Sequence, residues 1–347
     1  SHNMPARQLV QLCDEMGLLV DSEAFDMWEK PKTEMDNHRF FVEHAERDVR
    51  SWIERDRNHT CVIMWSIGNE INDTIDPHGL DITRRLYDYV QKYDPKGNAA
   101  ATIGSNYMGD ENAQKCSDVV KLAGYNYSEY LYDEHHAKYP DWFIYGSETA
   151  SAVRSRGIYR FPADTPSLTG VDYQCSSLDN SVVGWGSSAM KSWRLDRDCG
   201  FCGGQFIWTG FDYIGEPTPY NTKNSYFGIV DTAGFPKDIY YFYQSVWLSP
   251  EQKKVLHIVP SCWDFTPGQA VDVIVYSNAH HVDLFLNGEH IGSHVMNLDT
   301  DAEMRAHFTV PFQPGVVRAV GAYEDGSEIS EVLRTPADPA AVVLRAD

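Results

Sequence analysis

The chain has 347 residues, of which 42% are hydrophobic and 13% are aromatic, so it can bury a core large enough for about two domains. Its 50 Asp and Glu residues outnumber its 29 Lys and Arg residues, which gives a formal net charge of -21. This acidic balance argues against nucleic acid and anionic membranes as partners, because like charges repel. No apolar run in the sequence approaches the ~18 residues of a membrane span.

From residue 1 to about residue 250, apolar runs alternate with segments of helical period. Such alternation predicts repeated βα units and a parallel sheet. The predicted strands are Gly17 to Asp21, Cys61 to Ile67, Ala99 to Ile103, Val119 to Ala123, Trp142 to Tyr145 and Gly204 to Trp208. The clearest predicted helices are Ala6 to Met16, Asn37 to Arg57 and Gly79 to Tyr93. Residues 161–180 have no clear period and predict a long excursion, of a kind that often shapes a substrate site.

After Trp247 the pattern changes to short alternating runs without helical period. Asn287-Gly288 separates two of these runs, and this dipeptide predicts a tight β-hairpin. Residues 252–335 therefore predict a small antiparallel β-sandwich. We expect two domains, residues 1–250 and residues 251–347, the second ending in a linker that starts near Thr335.

The seven cysteines are scattered, without the dense spacing of a disulfide scaffold. Free thiols in a reducing compartment are the simpler interpretation, and they favour a cytoplasmic location. Cys199 and Cys202 form the one close pair, which a redox or metal protein could use. No second pair or nearby histidine supplies the remaining ligands of a zinc site.

Several predicted strands end in polar or acidic residues, and in a parallel barrel such ends meet on one face, where active sites are built. Glu70 and Glu148 each follow an apolar strand directly. Glycoside hydrolysis needs two carboxyl groups, one protonated and one ionised, and a separation of about 5 to 5.5 Å gives retention of configuration. A single glutamate at a strand end is more typical of a salt bridge or a helix cap, but two in matching context favour catalysis.

Other polar and aromatic residues near these strand ends have two interpretations each. Asn69 could hold a sugar hydroxyl or form a turn, and Tyr127 could donate a hydrogen bond that keeps the second carboxylate ionised or could simply pack. Trp208 offers an apolar face to a sugar ring. Two further tryptophans could serve equally, Trp142 and Trp185. The adjacent pair His135-His136 is expected at the surface.

Three segments resemble glycoside hydrolase family 2, the β-galactosidase and β-glucuronidase family. They are residues 65–70 (WSIGNE), 146–151 (GSETAS) and 206–213 (FIWTGFDY). Residues 1–5 and 12–20 resemble the family's segment around the second and third barrel strands. The resemblance covers nearly the whole chain. It implies an α/β fold, a (β/α)8 TIM barrel lacking its first strands, followed by an all-β immunoglobulin-like sandwich.

By this resemblance Glu70 is the acid/base and Glu148 the nucleophile of a retaining exo-β-glycosidase that acts by double displacement. The resemblance also implies substrate contacts by His2, Asn69, Tyr127 and Trp208.

The sugar is predicted to be a terminal β-galactoside or β-glucuronide. Asn221-Thr222-Lys223 resembles the Asn-x-Lys motif with which β-glucuronidases hold the uronate carboxylate, and a lysine suits that charge. Residues 215–219 and 224–228 look like β-galactosidases as well, so the two sugars stay equally favoured.

The chain departs from the family pattern in two ways. Met27 and Glu29 stand where some β-galactosidases have the Glu and His that bind magnesium, so neither a metal nor another cofactor is expected. Family members also begin with a jelly-roll domain, a sandwich domain and the first barrel strands, which do not precede Ser1. We expect that the missing N-terminal domains of the same protein are the partner of this chain. The whole protein is expected to be a soluble enzyme of bacterial type, with a homo-oligomer as a further possibility. The alternative is a noncatalytic carbohydrate-binding or assembly fragment.

Overall fold

A computed structural model describes residues 2–338, 341 and 343–344. The chain divides into one unit of Ser1–Thr149 with Leu195–Ile207 and another of Ala150–Arg194 with Trp208–Asp347. The expected domain boundary near residue 250 stays a prediction. The predicted linker after Thr335 runs partly outside the described residues. Among the described helices, none has both the length and the apolar character that a membrane crossing requires.

The first unit is built on six parallel strands whose order in the sheet equals their order in the chain. The strands are β1 (Val20–Glu23), β2 (Val62–Asn69), β3 (Ala100–Ser105), β4 (Leu122–Asn126), β5 (Phe143–Ala150) and β6 (Cys202–Trp208). The helices of the chain are α1 (Arg7–Met16), α2 (His38–Asp56), α3 (Pro77–Tyr93), α4 (Glu111–Val120), α5 (Tyr132–Lys138), α6 (Ala189–Arg197) and α7 (Asp238–Trp247). This alternation of parallel strands and helices confirms the predicted TIM-barrel architecture for this part of the chain.

The inner barrel strands β2, β3 and β4 are almost entirely buried, whereas the edge strands β1 and β6 are partly exposed. Seven of the eight residues of β2 are buried, which explains the continuous apolar run that predicted it. Helix α2 turns an apolar stripe towards the sheet, and its Trp52 packs edge-on against Trp65 of β2, with 5.0 Å between the ring centroids. Burial of such large side chains is worth about 25 cal/mol per Å² of apolar area.

The predicted fourth strand began too early. Val119 and Val120 end helix α4, and Lys121 with φ of 62° separates that helix from β4. The apolar run from Val119 to Ala123 therefore spans a helix end and a strand start, which periodicity over so short a run does not separate.

Two predictions about single residues were wrong. His135 is buried, and its Nδ1 lies 2.9 Å from the hydroxyl of Tyr125, because the short helix α5 places it on the inner face. Cys199 and Cys202 form a disulfide instead of staying free. The other five cysteines are free, and Cys262 is the exposed one among them.

The second unit contains two antiparallel sheets, of order β10-β9-β12-β13 and β11-β8-β7. Their strands are β7 (Leu256–Val259), β8 (Ala270–Ser277), β9 (His281–Leu286), β10 (Glu289–Val295), β11 (Ala306–Pro311), β12 (Val316–Ala322) and β13 (Glu328–Arg334). Asn287 and Gly288 join β9 to β10 with φ of 52° and 86°, the positive values that a type I′ turn needs. The predicted sandwich and hairpin are thus confirmed.

The second unit also contains the long excursion that follows β5. Among its described residues, no strand or helix lies between Ala150 and Ala189. A buried ion pair joins Arg154 to Asp179, and the Asp179 carboxylate also accepts the backbone N–H groups of Ala189 and Met190 at 3.0 and 3.1 Å. The path of the excursion is therefore fixed by the ion pair, and its Asp179 caps the first backbone N–H groups of helix α6.

Candidate active site

Glu70 leaves the end of β2 on an unusual backbone conformation. Its φ is 50°, in the left-handed region that costs a residue other than glycine about 1 to 3 kcal/mol. The Glu70 N–H donates to the carbonyl oxygen of Gly104 at 2.8 Å, so the pairing with β3 continues past the strand. The preceding Asn69 is 4% exposed. Both side chains are thus held at the carboxyl end of the sheet.

Asn126 connects the side chains at the ends of three strands. Its Nδ2 donates to Asn69 Oδ1 at 2.9 Å and to Glu70 Oε1 at 3.2 Å, while its Oδ1 accepts from the Ser147 hydroxyl at 2.6 Å. The sequence alone predicts no role for Asn126 or Ser147. Their position at the ends of predicted barrel strands was the only available signal.

Gly104 lets this network form directly above β3. A Cβ at this position would lie 3.0 Å from Asn69 Oδ1, 3.2 Å from Ser147 Oγ and 3.3 Å from Asn126 Oδ1. Those separations are closer than most Cβ contacts, so a larger residue would displace the amides. Because glycine has no side chain, the hydrogen-bonded amides of Asn69 and Asn126 can lie close to the backbone of β3.

Glu148 lies near the end of β5, and Tyr127 holds it twice. The Tyr127 hydroxyl donates to Glu148 Oε1 at 2.5 Å, and the Tyr127 N–H donates to the Glu148 carbonyl oxygen at 3.0 Å. Tyr127 has φ of 55°, so it too leaves its strand in the left-handed region. The Glu148 side chain is 13% exposed. The carboxylate is therefore fixed in position and largely removed from water.

Burial raises the pKa of Glu148 to about 7. The hydrogen bond from Tyr127 and the nearby His2 lower it, whereas the charges of Glu70 and Glu23 raise it further. The expectation that Tyr127 favours the ionised carboxylate thus has the right direction, but burial has the larger effect. The contribution of Glu70 places the two predicted carboxyl groups within electrostatic reach of each other.

His2 lies between two carboxylates. Its Nδ1 is 3.1 Å from Glu23 Oε1, and its Nε2 is 4.0 Å from Glu148 Oε2. The second oxygen of Glu23 accepts the Ser66 hydroxyl at 2.9 Å.

Trp208, Asn221 and Lys223 belong to the second unit. Trp208 is half-buried and meets Tyr213 and Phe227 edge-on, with 5.9 and 6.5 Å between the ring centroids. Asn221 and Lys223 are exposed. Their assigned roles towards the sugar stay predictions.

The two alternative tryptophans differ in exposure. Trp142 is 5% exposed and stacks on Tyr139 at 3.9 Å between centroids, so it offers no open face to a sugar. Trp185 is 58% exposed.

No group of three or more His, Cys, Asp and Glu side chains in the described part of the chain could hold a metal ion. Glu29 accepts hydrogen bonds from Arg85 at 2.9 Å and contacts His78 at 3.2 Å. The carboxylate at this position is therefore engaged by cationic and imidazole side chains.

The hydrogen bond from Tyr127 to Glu148 predicts a measurable change in acidity. We expect Tyr127→Phe to raise the pKa of Glu148 above its value of about 7, because the bond favours the charged form. A hydrogen bond to a charged group is worth about 1.5 to 3 kcal/mol, so the shift should be about one unit or more. Carbon-13 NMR titration of labelled glutamate carboxyls measures it. The control is Tyr107→Phe, whose hydroxyl bonds Asn72 instead. An unchanged Glu148 titration would contradict this prediction.

Two family models match the chain. Residues 1–149 match the TIM barrel domain of glycosyl hydrolases family 2, and residues 268–330 match a domain of unknown function. The first match covers β1 to β5 up to Thr149, and with them the whole constellation of Glu70, Asn126, Tyr127 and Glu148.

Several relatives align with nearly the entire chain. The beta-galactosidase BoGH2A of Bacteroides ovatus is 39% identical over 391 residues, an alignment that covers 100% of this chain and 45% of the relative. A putative beta-glucuronidase of Formosa agariphila is 32% identical over 367 residues, covering 95% of this chain and 33% of the relative. This chain thus spans less than half the length of these curated relatives.

A solved structure shows the same architecture. A beta-glycosidase from Bacteroides vulgatus superposes with a TM-score of 0.83 at 29% identity, over 99% of this chain and 46% of that one. The barrel motifs, the order of the strands and the relatives agree with one another. The chain belongs to glycoside hydrolase family 2.

Proposed function

We propose that the protein containing this chain is a retaining exo-β-glycosidase that removes terminal β-galactosyl or β-glucuronosyl groups by double displacement. One observation carries the proposal: two glutamates leave the ends of β2 and β5, each is fixed by its own hydrogen bonds, and the charge of Glu70 acts on Glu148. Such a pair is what glycoside hydrolysis requires. The relatives' names support the substrate class, since they include a β-galactosidase and a putative β-glucuronidase.

In the first step, Glu148 attacks the anomeric carbon while Glu70 donates its proton to the departing glycosidic oxygen. A covalent bond forms between the sugar and Glu148, and the aglycone leaves as an alcohol. In the second step Glu70 removes a proton from water, and that water displaces Glu148 from the sugar. Two inversions at one carbon retain its configuration.

The charge states of the two carboxyls support each other in this scheme. Protonation of Glu70 removes the charge that raises the pKa of Glu148, so the ionised nucleophile and the protonated acid coexist more easily. A reactive Glu148 must be ionised. With its pKa near 7, we expect kcat/KM to fall as the pH drops below neutrality.

The double displacement predicts different losses at the two glutamates. Glu148→Gln should abolish hydrolysis because no nucleophile remains. Glu70→Ala should slow deglycosylation of substrates with good leaving groups by about 10² to 10⁴, and azide should restore turnover as a β-glycosyl azide. Proton NMR of the first sugar released should show the β-anomer. The control is Glu134→Gln, an exposed glutamate of α5. Initial release of the α-anomer would contradict retention.

The choice of sugar depends on Lys223. This side chain is exposed, and no ion pair or hydrogen bond among the described residues uses it. We expect Lys223→Ala to lower kcat/KM for an aryl glucuronide about 10- to 100-fold, the value of a lost charged hydrogen bond, and to leave aryl galactoside turnover nearly unchanged. Lys191→Ala, at another exposed lysine of the second unit, is the control. Equal losses on both sugars would remove the proposed carboxylate contact.

We also propose that the missing N-terminal domains of the same protein complete the barrel. A TIM barrel closes with eight strands, and the sheet of the described residues ends at β1 and β6. Helix α1 presents Leu9, Leu12 and Met16 to solvent on one face, with exposures of 52%, 51% and 70%. Such a face is typical of a helix that another segment covers.

Completion of the barrel predicts that this chain alone is unstable or inactive. The test compares hydrolysis of aryl glycosides by the isolated chain and by the full-length natural protein. We expect turnover only with the full-length protein. Ready turnover by the isolated chain would contradict the role of the added segment. Sugar binding without hydrolysis in the full-length protein would favour the alternative of a noncatalytic carbohydrate-binding protein.

The proposed compartment is the cytoplasm. Five of the seven cysteines are free, as in proteins of reducing compartments, although the disulfide between Cys199 and Cys202 is unusual there.

A further inference from the structure

Glu23 is a half-buried carboxylate near the proposed nucleophile, and both of its oxygens are engaged. Oε1 lies 3.1 Å from His2 Nδ1, and Oε2 accepts the Ser66 hydroxyl at 2.9 Å. Its side chain is 14% exposed. The Cα atoms of Glu23 and Ser66 are register partners in the β1/β2 pair. Glu23 is therefore fixed by the sheet itself.

The neighbouring residue shows that this orientation is specific. Ser22 is fully buried and points to the other face of β1, where its hydroxyl accepts the Trp52 indole N–H at 2.9 Å. One face of β1 thus packs on α2, and the other presents Glu23 to His2.

His2 faces three carboxylates. Burial alone would lower its pKa, but the hydrogen bond and charge of Glu23, with the charges of Glu148 and Asp26, raise the pKa above its ordinary value of 6.5. In the protonated imidazole both ring nitrogens are donors. With Nδ1 directed at Glu23, Nε2 faces the Glu148 carboxylate at 4.0 Å.

We propose that Glu23 is a positioning residue for glycoside hydrolysis: it holds His2 as an imidazolium whose Nε2–H lies beside the nucleophile and meets a hydroxyl of the bound sugar. This inference rests on the proposed function. Glu23 does not touch the reacting atoms. It acts through the orientation and charge of His2, which offset part of the cost of burying Glu148.

These charges predict that Glu23→Gln shifts the Glu148 pKa in opposite directions, depending on whether His2 is present or replaced by alanine. In the wild type, Glu23→Gln removes a carboxylate and lowers the pKa of His2, which favours the neutral imidazole. Of these two, His2 has the larger effect on Glu148, so the net result is a higher Glu148 pKa. With His2 already replaced by alanine, Glu23→Gln removes only a repulsive charge, and the Glu148 pKa falls.

The experiment is a double-mutant cycle of Glu23→Gln and His2→Ala in the full-length protein, with kcat/KM measured against pH on an aryl glycoside. We expect Glu23→Gln alone to move the acidic limb of the pH profile of kcat/KM to higher pH. At pH 6 the value of kcat/KM should then be about tenfold lower than in the wild type. In the His2→Ala background the same change should move the limb to lower pH. Equal, additive effects in both backgrounds would overturn the proposal.

Three further variants separate positioning from general stability. Ser66→Ala should move the limb in the same direction as Glu23→Gln but less far, and it serves if Glu23→Gln does not fold. Ser22→Ala should lower the melting temperature and leave the limb in place; a limb shift with Ser22→Ala would point to a merely structural effect. Glu148→Gln tests the proposed function separately. If it abolishes hydrolysis while Glu23→Gln changes nothing, only this inference fails.

Discussion

The constraint on which the site depends is the burial of the Glu148 carboxylate at the end of β5. A charged group removed from water is costly unless hydrogen bonds and opposite charges compensate it. Here Tyr127 supplies the hydrogen bond and His2 the opposite charge, while Glu70 and Glu23 act against ionisation. The pKa of about 7 is the balance of these effects, and it makes Glu148 sensitive to every neighbour.

The backbone is strained next to both carboxyl groups. Glu70 and Tyr127 both leave their strands with positive φ, and each backbone N–H then bonds to a neighbouring barrel strand. A conformation that costs about 1 to 3 kcal/mol persists only where the surroundings fix it. The sheet fixes it here, and Gly104 leaves the space above β3 that the amides of Asn69 and Asn126 occupy. The strained backbone and the close packing at Gly104 together fix the positions of the Glu70 and Glu148 carboxyl groups.

The two glutamates of the proposed activity and the residues proposed to choose the sugar belong to different units of the chain. Residues 1–149 carry the barrel match and both glutamates, whereas the residues proposed to choose between galactoside and glucuronide belong to the second unit. The relatives' names divide between these two sugars. Substitutions at Glu70 and Glu148 therefore test the reaction, and substitution at Lys223 tests the choice of sugar.

The sequence by itself determined the order of elements, the two glutamates at strand ends and the hairpin at Asn287-Gly288. These follow from local rules: period, turn chemistry and the direction of a strand. The tertiary structure alone decided that His135 is buried, that Asn126 bonds to Asn69 and Glu70, and that Glu23 faces His2. These contacts join residues far apart in the chain or depend on which face of a helix is covered. The pKa of Glu148 belongs to the same class, because it sums burial and charges from several strands at once.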